Sequence, residues 1–251
     1  MQAVILAAGR GTRMRELTEN RPKCLLKIHG RTFLEKAIDA LEAYGIERLT
    51  IVTGYLDQMI REHVSAKMPV TFIHNAEYEK RNNIFSVFLA RDRFCADDTL
   101  LLESDLIFDP ALLGLLLENS GEAVGLVDVC EPWMDGTCVK IDEGRLRFTS
   151  TREERAAGML KTVNIWKFSR RFSRDCYFPF LDAYRNAFGD GAYYEDVLRC
   201  VAAADPKLIT VVSAEGFRWH EADTPEDFRA AALKFQQKSL HINVFSDMYR
   251  A

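Results

Sequence analysis

From Gln2 to Glu103 the chain alternates short apolar runs with segments of helical period, and this alternation restricts the fold more than any other feature. Gln2-Ala-Val-Ile-Leu-Ala7 reads as a buried strand that runs into the glycine-rich turn Ala8-Gly9-Arg10-Gly11. Thr32 to Tyr44 carries Phe33, Ala37, Leu41 and Tyr44 at helical spacing and stops at Gly45, a residue suited to a C-cap. Strands follow at Leu49–Thr53, Val70–His74 and Thr99–Glu103, separated by helices near Leu56–Val64 and Asn83–Arg93. Parallel strands joined through helices require right-handed crossovers, with helices on both faces of the sheet. The expectation is an α/β fold with a mixed, mostly parallel sheet flanked by helices.

Beyond Asp109 the rhythm changes. A helix at Pro110–Asn119 precedes strands at Ala123–Val129, Cys138–Asp142 and Leu146–Thr149 joined by short turns, which predicts an added antiparallel hairpin region. Lys161–Phe168 is another strand, helices follow at Phe178–Phe188 and Tyr194–Ala203, and Ile209–Ser213 is the last clear strand. Thr224 and Pro225 have the residue types of an N-cap and first helical position. Residues 236–251 lack a clear period and read as a tail or linker.

A chain of 251 residues that is 48% hydrophobic can bury one substantial core or two unequal ones. Its net charge is −4, with basic and acidic residues interleaved, which leaves no electrostatic footprint for nucleic acid or an anionic membrane. The six cysteines are scattered without a C-x-x-C pair, which argues against zinc and for reduced thiols in a cytoplasmic protein. The N-terminus has no secretory pattern, and no apolar run approaches membrane-spanning length.

The loop Gly9-Arg10-Gly11-Thr12-Arg13-Met14 begins like a dinucleotide fingerprint, but Met14 occupies the third glycine position, where close helix-to-strand packing needs glycine. No Gly-Lys-Ser/Thr follows, so a P-loop is excluded as well. What remains is a turn whose amides can approach phosphate oxygens, with Arg13 and Lys23 to add charge, or an ordinary strand-to-helix turn with solvated basic residues. Leu6-Ala7-Ala8-Gly9-Arg10-Gly11-Thr12-Arg13, followed by Arg21-Pro22-Lys23, resembles the signature of the nucleotidyltransferases that make sugar nucleotides and CDP-alcohols. The resemblance extends from Gln2 to about Phe235 and implies a Rossmann-like, GT-A-like nucleotidyltransferase fold. It also implies that Leu6, Ala7, Ala8, Gly9, Gly11 and Thr12 wrap a nucleoside triphosphate while Lys23 and Arg13 act on its phosphates.

Glu103-Ser104-Asp105 closes a predicted strand, at the sheet edge where open α/β folds bind ligands. In the family an aspartate at this position is a metal ligand, which maps to Asp105, and the later Glu-x-Asp stretch maps to Glu221 and Asp223. Magnesium favours oxygen ligands and binds one or two carboxylates together with substrate phosphates, so Mg2+ is the expected cofactor. Taken singly, each of these acids also fits a solvated loop carboxylate or a helix cap.

Asn75-x-x-Tyr78 with Asn82-Asn83-Ile84-Phe85-Ser86 resembles phosphocholine cytidylyltransferases of bacterial cell-surface pathways, which makes Asn82, Asn83 and Ser86 candidates for holding CTP. Asn82 also suits a helix N-cap. Three further segments, Lys161–Phe168, Pro179–Tyr184 and Tyr193–Leu198, look like the cytidylyltransferases of phosphonate pathways that activate 2-aminoethylphosphonate. Some of those are fused to a further catalytic domain; a homodimer is the other partner arrangement considered. A cationic acceptor requires an aromatic cage or carboxylates that accept hydrogen bonds from a primary ammonium. Trp133, Trp166, Tyr194 and Glu195 are the expected acceptor contacts, with Tyr193, Trp219, Glu131, Asp135 and Asp196 as further candidates. The expected reaction partners are CTP and a small phosphonate or phosphate, 2-aminoethylphosphonate first and phosphocholine as the alternative. A catalytically silent nucleotide-binding module is the reading from outside the enzyme class. One domain is expected over residues 1–235, with a nucleotide-binding half (1–109) and an acceptor-binding half (110–235).

Overall fold

The computed structural model describes residues 1–131, 134–142, 145–149 and 158–236. In chain order, β1 (Gln2–Ala7) leads through 3-10 turns at Thr12–Thr18 and Lys23–Leu25 to a small ribbon, β2 (Lys27–Ile28) and β3 (Arg31–Thr32). Next come α1 (Phe33–Ala43), β4 (Arg48–Thr53), α2 (Asp57–His63), β5 (Val70–His74), α3 (Asn83–Leu89), α4 (Arg91–Ala96) and β6 (Thr99–Glu103). After β7 (Leu106–Phe108) and α5 (Ala111–Glu118) lie β8 (Ala123–Val129), β9 (Cys138–Asp142), β10 (Arg145–Thr149) and β11 (Leu160–Phe168). Then α6 (Arg170–Phe172) passes through a π turn at Ser173–Tyr177 into α7 (Phe178–Phe188). The described part closes with α8 (Tyr194–Ala204), β12 (Ile209–Ser213), β13 (Trp219–Glu221) and α9 (Pro225–Lys234).

The main sheet runs β10-β9-β11-β6-β1-β4-β5, with β8 paired to β11 and β12 paired to β8. Its first half is parallel, with β1 between β4 and β6. The second half enters antiparallel through β11, which pairs with β6, β8 and β9, and the β9–β10 hairpin extends that edge. This is the mixed α/β sheet flanked by helices expected from the sequence, including its antiparallel addition.

Burial explains the alternation. Along β1, Ala3, Ile5 and Ala7 face one core with Leu41, Leu102 and Leu113, whereas Val4 and Leu6 face another with Phe94, Trp166 and Tyr177. The period of two in a strand covered on both faces yields a continuous apolar run, which is why residues 2–7 show no polar alternation. A third, smaller cluster of Met14, Leu26, Ile28, Phe33, Ile107, Ala222 and Ala231 ties the segment after β1 to α9. The apolar Met14 that breaks the dinucleotide fingerprint is thus a fully buried anchor.

Local signals hold where the chemistry is strong. Gly45 follows α1 with φ 70°, and Thr224 caps α9 in a reciprocal capping box with Asp227. The helix expected over Asn83–Arg93 is instead two helices that meet at Ala90, whose ψ of 5° leaves the helical range. The short pairs β2–β3 and β7–β13 are not foreseen in the sequence, because strands of two or three residues carry too little pattern to read. Among the described residues, no helix is long and apolar enough to cross a membrane.

Candidate active site

The carboxyl ends of β1, β6 and β13 converge on a cleft of about 510 Å³, the location expected for a ligand in an open α/β sheet. Its wall is built by the turn after β1. The backbone NH of Tyr55 donates to the carbonyl of Ala8 at 3.0 Å and pins the turn to the end of β4. Gly54 permits this approach, since a Cβ there would lie 2.6 Å from the Ala8 oxygen and 2.8 Å from Tyr78 Cβ. Gly11 adopts φ 65°, and a Cβ on it would press on the Lys23 stem at 3.2 Å. Of the residues expected to wrap a triphosphate, Leu6, Ala8, Gly9, Gly11 and Thr12 line the cleft. Ala7, on the opposite face of β1, packs into the core.

Lys23 reaches across this wall to two acids. Its Nζ lies 2.7 Å from Asp105 Oδ2 and 2.7 Å from Asp223 Oδ1, and an Arg13 guanidinium nitrogen lies 2.8 Å from the same Asp223 oxygen. Burial by itself would depress the lysine, but Asp105 and then Asp223 outweigh it and hold Lys23 above its ordinary value, as an ammonium. Burial likewise opposes the charge on Asp223, and Lys23 and Arg13 prevail to keep it below the usual carboxylate range.

A second group of acids stands beside these. Oxygens of Glu103, Asp105 and Glu221 lie within 4.8 Å of one another. Burial, then Asp105, Glu195, Glu221 and Asp223, push Glu103 well above the carboxylate range. Burial also raises Glu221, against the pull of Lys161, whose Nζ is 3.1 Å from Glu221 Oε2. Asp105 Oδ1 is buried with no hydrogen-bond partner. Three crowded carboxylates, two of them raised by burial and by one another and one with an orphaned oxygen, fit a hard divalent cation, because a cation at their centre would relieve the repulsion and use the free oxygen. The sequence pairs Asp105 with Asp223 and Glu221. The geometry instead groups Glu103 with Asp105 and Glu221, and engages Asp223 with Lys23 and Arg13. Glu103 is legible as half of a strand-end Glu-x-Asp pair, since alternate residues leaving a strand share a face.

Asn82, Asn83 and Ser86 all line the cleft. Asn82 caps α3 by accepting from Asn83 NH at 2.8 Å, and Ser86 Oγ accepts from Asn75 Nδ2 at 3.1 Å. Asn83 donates to Glu103 Oε1 at 3.1 Å and accepts from Tyr194 NH at 2.9 Å, so its amide links the acidic group to the start of α8.

Of the residues expected to contact an acceptor, Glu195 lines the cleft and is 5% exposed, with Oε2 unpartnered. Burial is the main cause that raises its pKa to about 7. Trp166 and Tyr194 do not reach the cleft. Both are fully buried, Trp166 stacked on Phe148 with ring centroids 6.1 Å apart, in a space that Gly125 leaves open because any Cβ there would overlap the indole. Trp133 lies outside the described residues. The aromatic side chains that line the cleft, among the described residues, are Tyr78 and Tyr193. Arg81, Gly136 and Thr137 also line it, and nothing in their local sequence pattern distinguishes a loop residue that turns inward.

Known proteins resemble this chain in sequence and in fold. Over 245 residues the chain is 31% identical to a CMP-5'-(3-aminopropyl)phosphonate synthase of Streptomyces rubellomurinus, a match that covers 94% of this chain and 39% of that protein. It is 38% identical to a 2-aminoethylphosphonate cytidylyltransferase of Lancefieldella rimae across 42% of this chain and 43% of the relative. It is equally 38% identical to a choline-phosphate cytidylyltransferase of Haemophilus influenzae across 43% of this chain and 46% of the relative. The matched segments therefore cover less than half the length of each of these three relatives. Among solved structures, the CTP:phosphocholine cytidylyltransferase of Streptococcus pneumoniae superimposes with a TM-score of 0.75 at 21% identity, over 94% of this chain and 99% of that one, which establishes a shared fold. The model of the MobA-like NTP transferase domain matches residues 3–140, more than half of the chain, and the chain belongs to that family.

Proposed function

We propose that this chain is a magnesium-dependent cytidylyltransferase that transfers CMP from CTP to a small phosphonate or phosphate bearing a cationic end. The observation that carries the reading is the meeting of Lys23, Arg13, Asp105 and Asp223 at the mouth of a glycine-walled cleft. The names of the relatives supply the nucleotide. We read residues 1–235 as one catalytic unit, with 1–109 serving the nucleotide and 110–235 the acceptor.

In this account an acceptor oxygen attacks the α-phosphorus of CTP in line and pyrophosphate departs from the opposite side. A phosphomonoester is largely ionised at neutral pH, its second pKa being about 6, and the ammonium of an aminophosphonate favours the same dianion, so no general base is required. The burden falls on bringing two polyanions together. Turn amides after β1 face the triphosphate, and Lys23 and Arg13 neutralise charge on the α-phosphate and the leaving group. Glu103, Asp105 and Glu221 would hold Mg2+, with Asp223 beside them. Bound there, the ion supplies charge neutralisation to phosphate oxygens.

For the acceptor we favour 2-aminoethylphosphonate. A buried carboxylate with a free oxygen, Glu195, suits a primary ammonium, whereas the rings of Trp166 and Tyr194 lie in the core and build no cage for trimethylammonium. Phosphocholine is the second reading, on the strength of the choline-phosphate relative. Competition between 2-aminoethylphosphonate, 3-aminopropylphosphonate and phosphocholine at limiting CTP, with products resolved by 31P NMR, tests the choice. CMP-2-aminoethylphosphonate as the dominant product supports it, and dominance of CDP-choline overturns it.

A further inference from the structure

The central strand β11 contains a defect that bears on Glu221. Thr162 faces Val127 and Trp166 faces Gly125, so β11 advances four residues while β8 advances two. Within this bulge Asn164 adopts φ 61°, the left-handed region that asparagine tolerates better than most residues with a side chain. In a regular strand, residues three apart point to opposite faces. Lys161 and Asn164 nevertheless both reach the carboxylate of Glu221, Lys161 at Oε2 (3.1 Å) and Asn164 Nδ2 at Oε1 (3.1 Å). The bulge is what brings them to one side.

Asn164 is 4% exposed. Its Oδ1 lies 2.9 Å from Thr162 Oγ1, a hydroxyl that lies equally close, at 2.9 Å, to the Thr137 carbonyl oxygen. Turning the amide over would set its oxygen against the Glu221 carboxylate, two acceptors in contact, so the orientation with nitrogen toward Glu221 is the favoured one. A non-glycine residue in this region carries a conformational cost and persists only where its surroundings hold it. At Asn164 that cost is set against a hydrogen bond to one of the three clustered acids.

We propose that Asn164 is a positioning residue: the bulge of β11 holds its amide against Glu221 and thereby fixes that carboxylate for a divalent cation shared with Glu103 and Asp105. This rests on the cation-binding reading of the cluster given above. Partners that orient a ligating carboxylate typically alter metal affinity by about 10- to 100-fold when removed. The side chain and the backbone can be separated, because Asn164→Gly keeps the left-handed conformation and deletes only the amide.

The test is Mn2+ titration by electron paramagnetic resonance, without substrates, on the wild type, Glu221→Gln, Asn164→Gly, and the double variant. Thermal melting without metal serves as a check on folding. The expected result is Mn2+ binding weakened about 10- to 100-fold by Asn164→Gly and by Glu221→Gln, with no further loss when the two are combined. A merely structural effect of Asn164→Gly would persist in the Glu221→Gln background, and that outcome overturns the proposal. Wild-type affinity in Asn164→Gly, with Glu221→Gln impaired, also overturns it while leaving the cation site intact. Failure of the wild type to bind Mn2+, or indifference to Glu221→Gln, removes the cation reading and this inference with it.

Discussion

Lys23 Nζ lies 2.7 Å from Asp223 Oδ1 across 200 residues of sequence, and the same nitrogen lies 2.7 Å from Asp105 Oδ2. One ammonium thus joins the turn after β1, the end of β6 and the segment after β13. The side chains of Lys23, Asp105 and Asp223 are only 11%, 13% and 15% exposed, so none of the three charges is well solvated without the others.

Lys23→Met should therefore lower turnover by about 100- to 1000-fold, the usual cost of removing one preorganised charge stabiliser. Steady-state pyrophosphate release measures this. Asp105→Ala should lower turnover by orders of magnitude as well, and full activity at saturating magnesium would remove Asp105 from its assigned role.

Glu195 supplies a pH dependence. Its folded pKa is raised to about 7 from an ordinary value of 4.5, so between these values the folded state binds more protons than the unfolded chain. The stability contributed by the protonated form is fully present below about pH 4.5 and is lost as pH rises through about 7. Urea midpoints of the metal-free protein, compared between wild type and Glu195→Gln, should show that part of the decline over this window disappears in the variant. Parallel curves would show that Glu195 does not titrate in this way.

Gly54 controls the approach of the β1 turn to β4. Because a Cβ there would come within 2.6 Å of the Ala8 carbonyl oxygen, Gly54→Ala must displace backbone. We expect a loss of about 1–3 kcal/mol in stability, the range for overpacking, together with a higher KM for CTP. Denaturant unfolding and steady-state kinetics measure the two effects separately.

Trp166 distinguishes core from cage. As a fully buried ring packed in the space left by Gly125, it should affect stability and not acceptor choice. Trp166→Ala is expected to cost about 3–5 kcal/mol. The milder Trp166→Phe should lower the melting temperature while it leaves the ranking of acceptors unchanged, and a changed ranking would place the ring in contact with the acceptor.

Much of this architecture is legible in the sequence because it rests on strong local patterns. The uninterrupted apolar run of β1, the Gly45 stop and the Thr224–Pro225 helix start each have a physical cause that sequence displays directly. The α3–α4 break is hidden, since the apolar spacing continues past Ala90 and only the backbone shows the interruption. At the site, the glycine turn and its basic residues can be read, but the partners of each acid cannot. Sequence spacing cannot say whether Asp223 faces Lys23 or joins Glu103, because that depends on how β13 pairs with β7. Nor can aromatic composition separate Trp166, which a missing Cβ at Gly125 admits to the core, from Tyr193, which is 52% exposed at the cleft.

The most direct test of the proposed activity is magnesium-dependent pyrophosphate release from CTP, UTP, GTP and ATP in turn, each with 2-aminoethylphosphonate as acceptor. The expected result is release with CTP that requires both acceptor and magnesium, and little with the other three nucleotides. Preference for another nucleotide, or no release from CTP with 2-aminoethylphosphonate, 3-aminopropylphosphonate or phosphocholine, would contradict it.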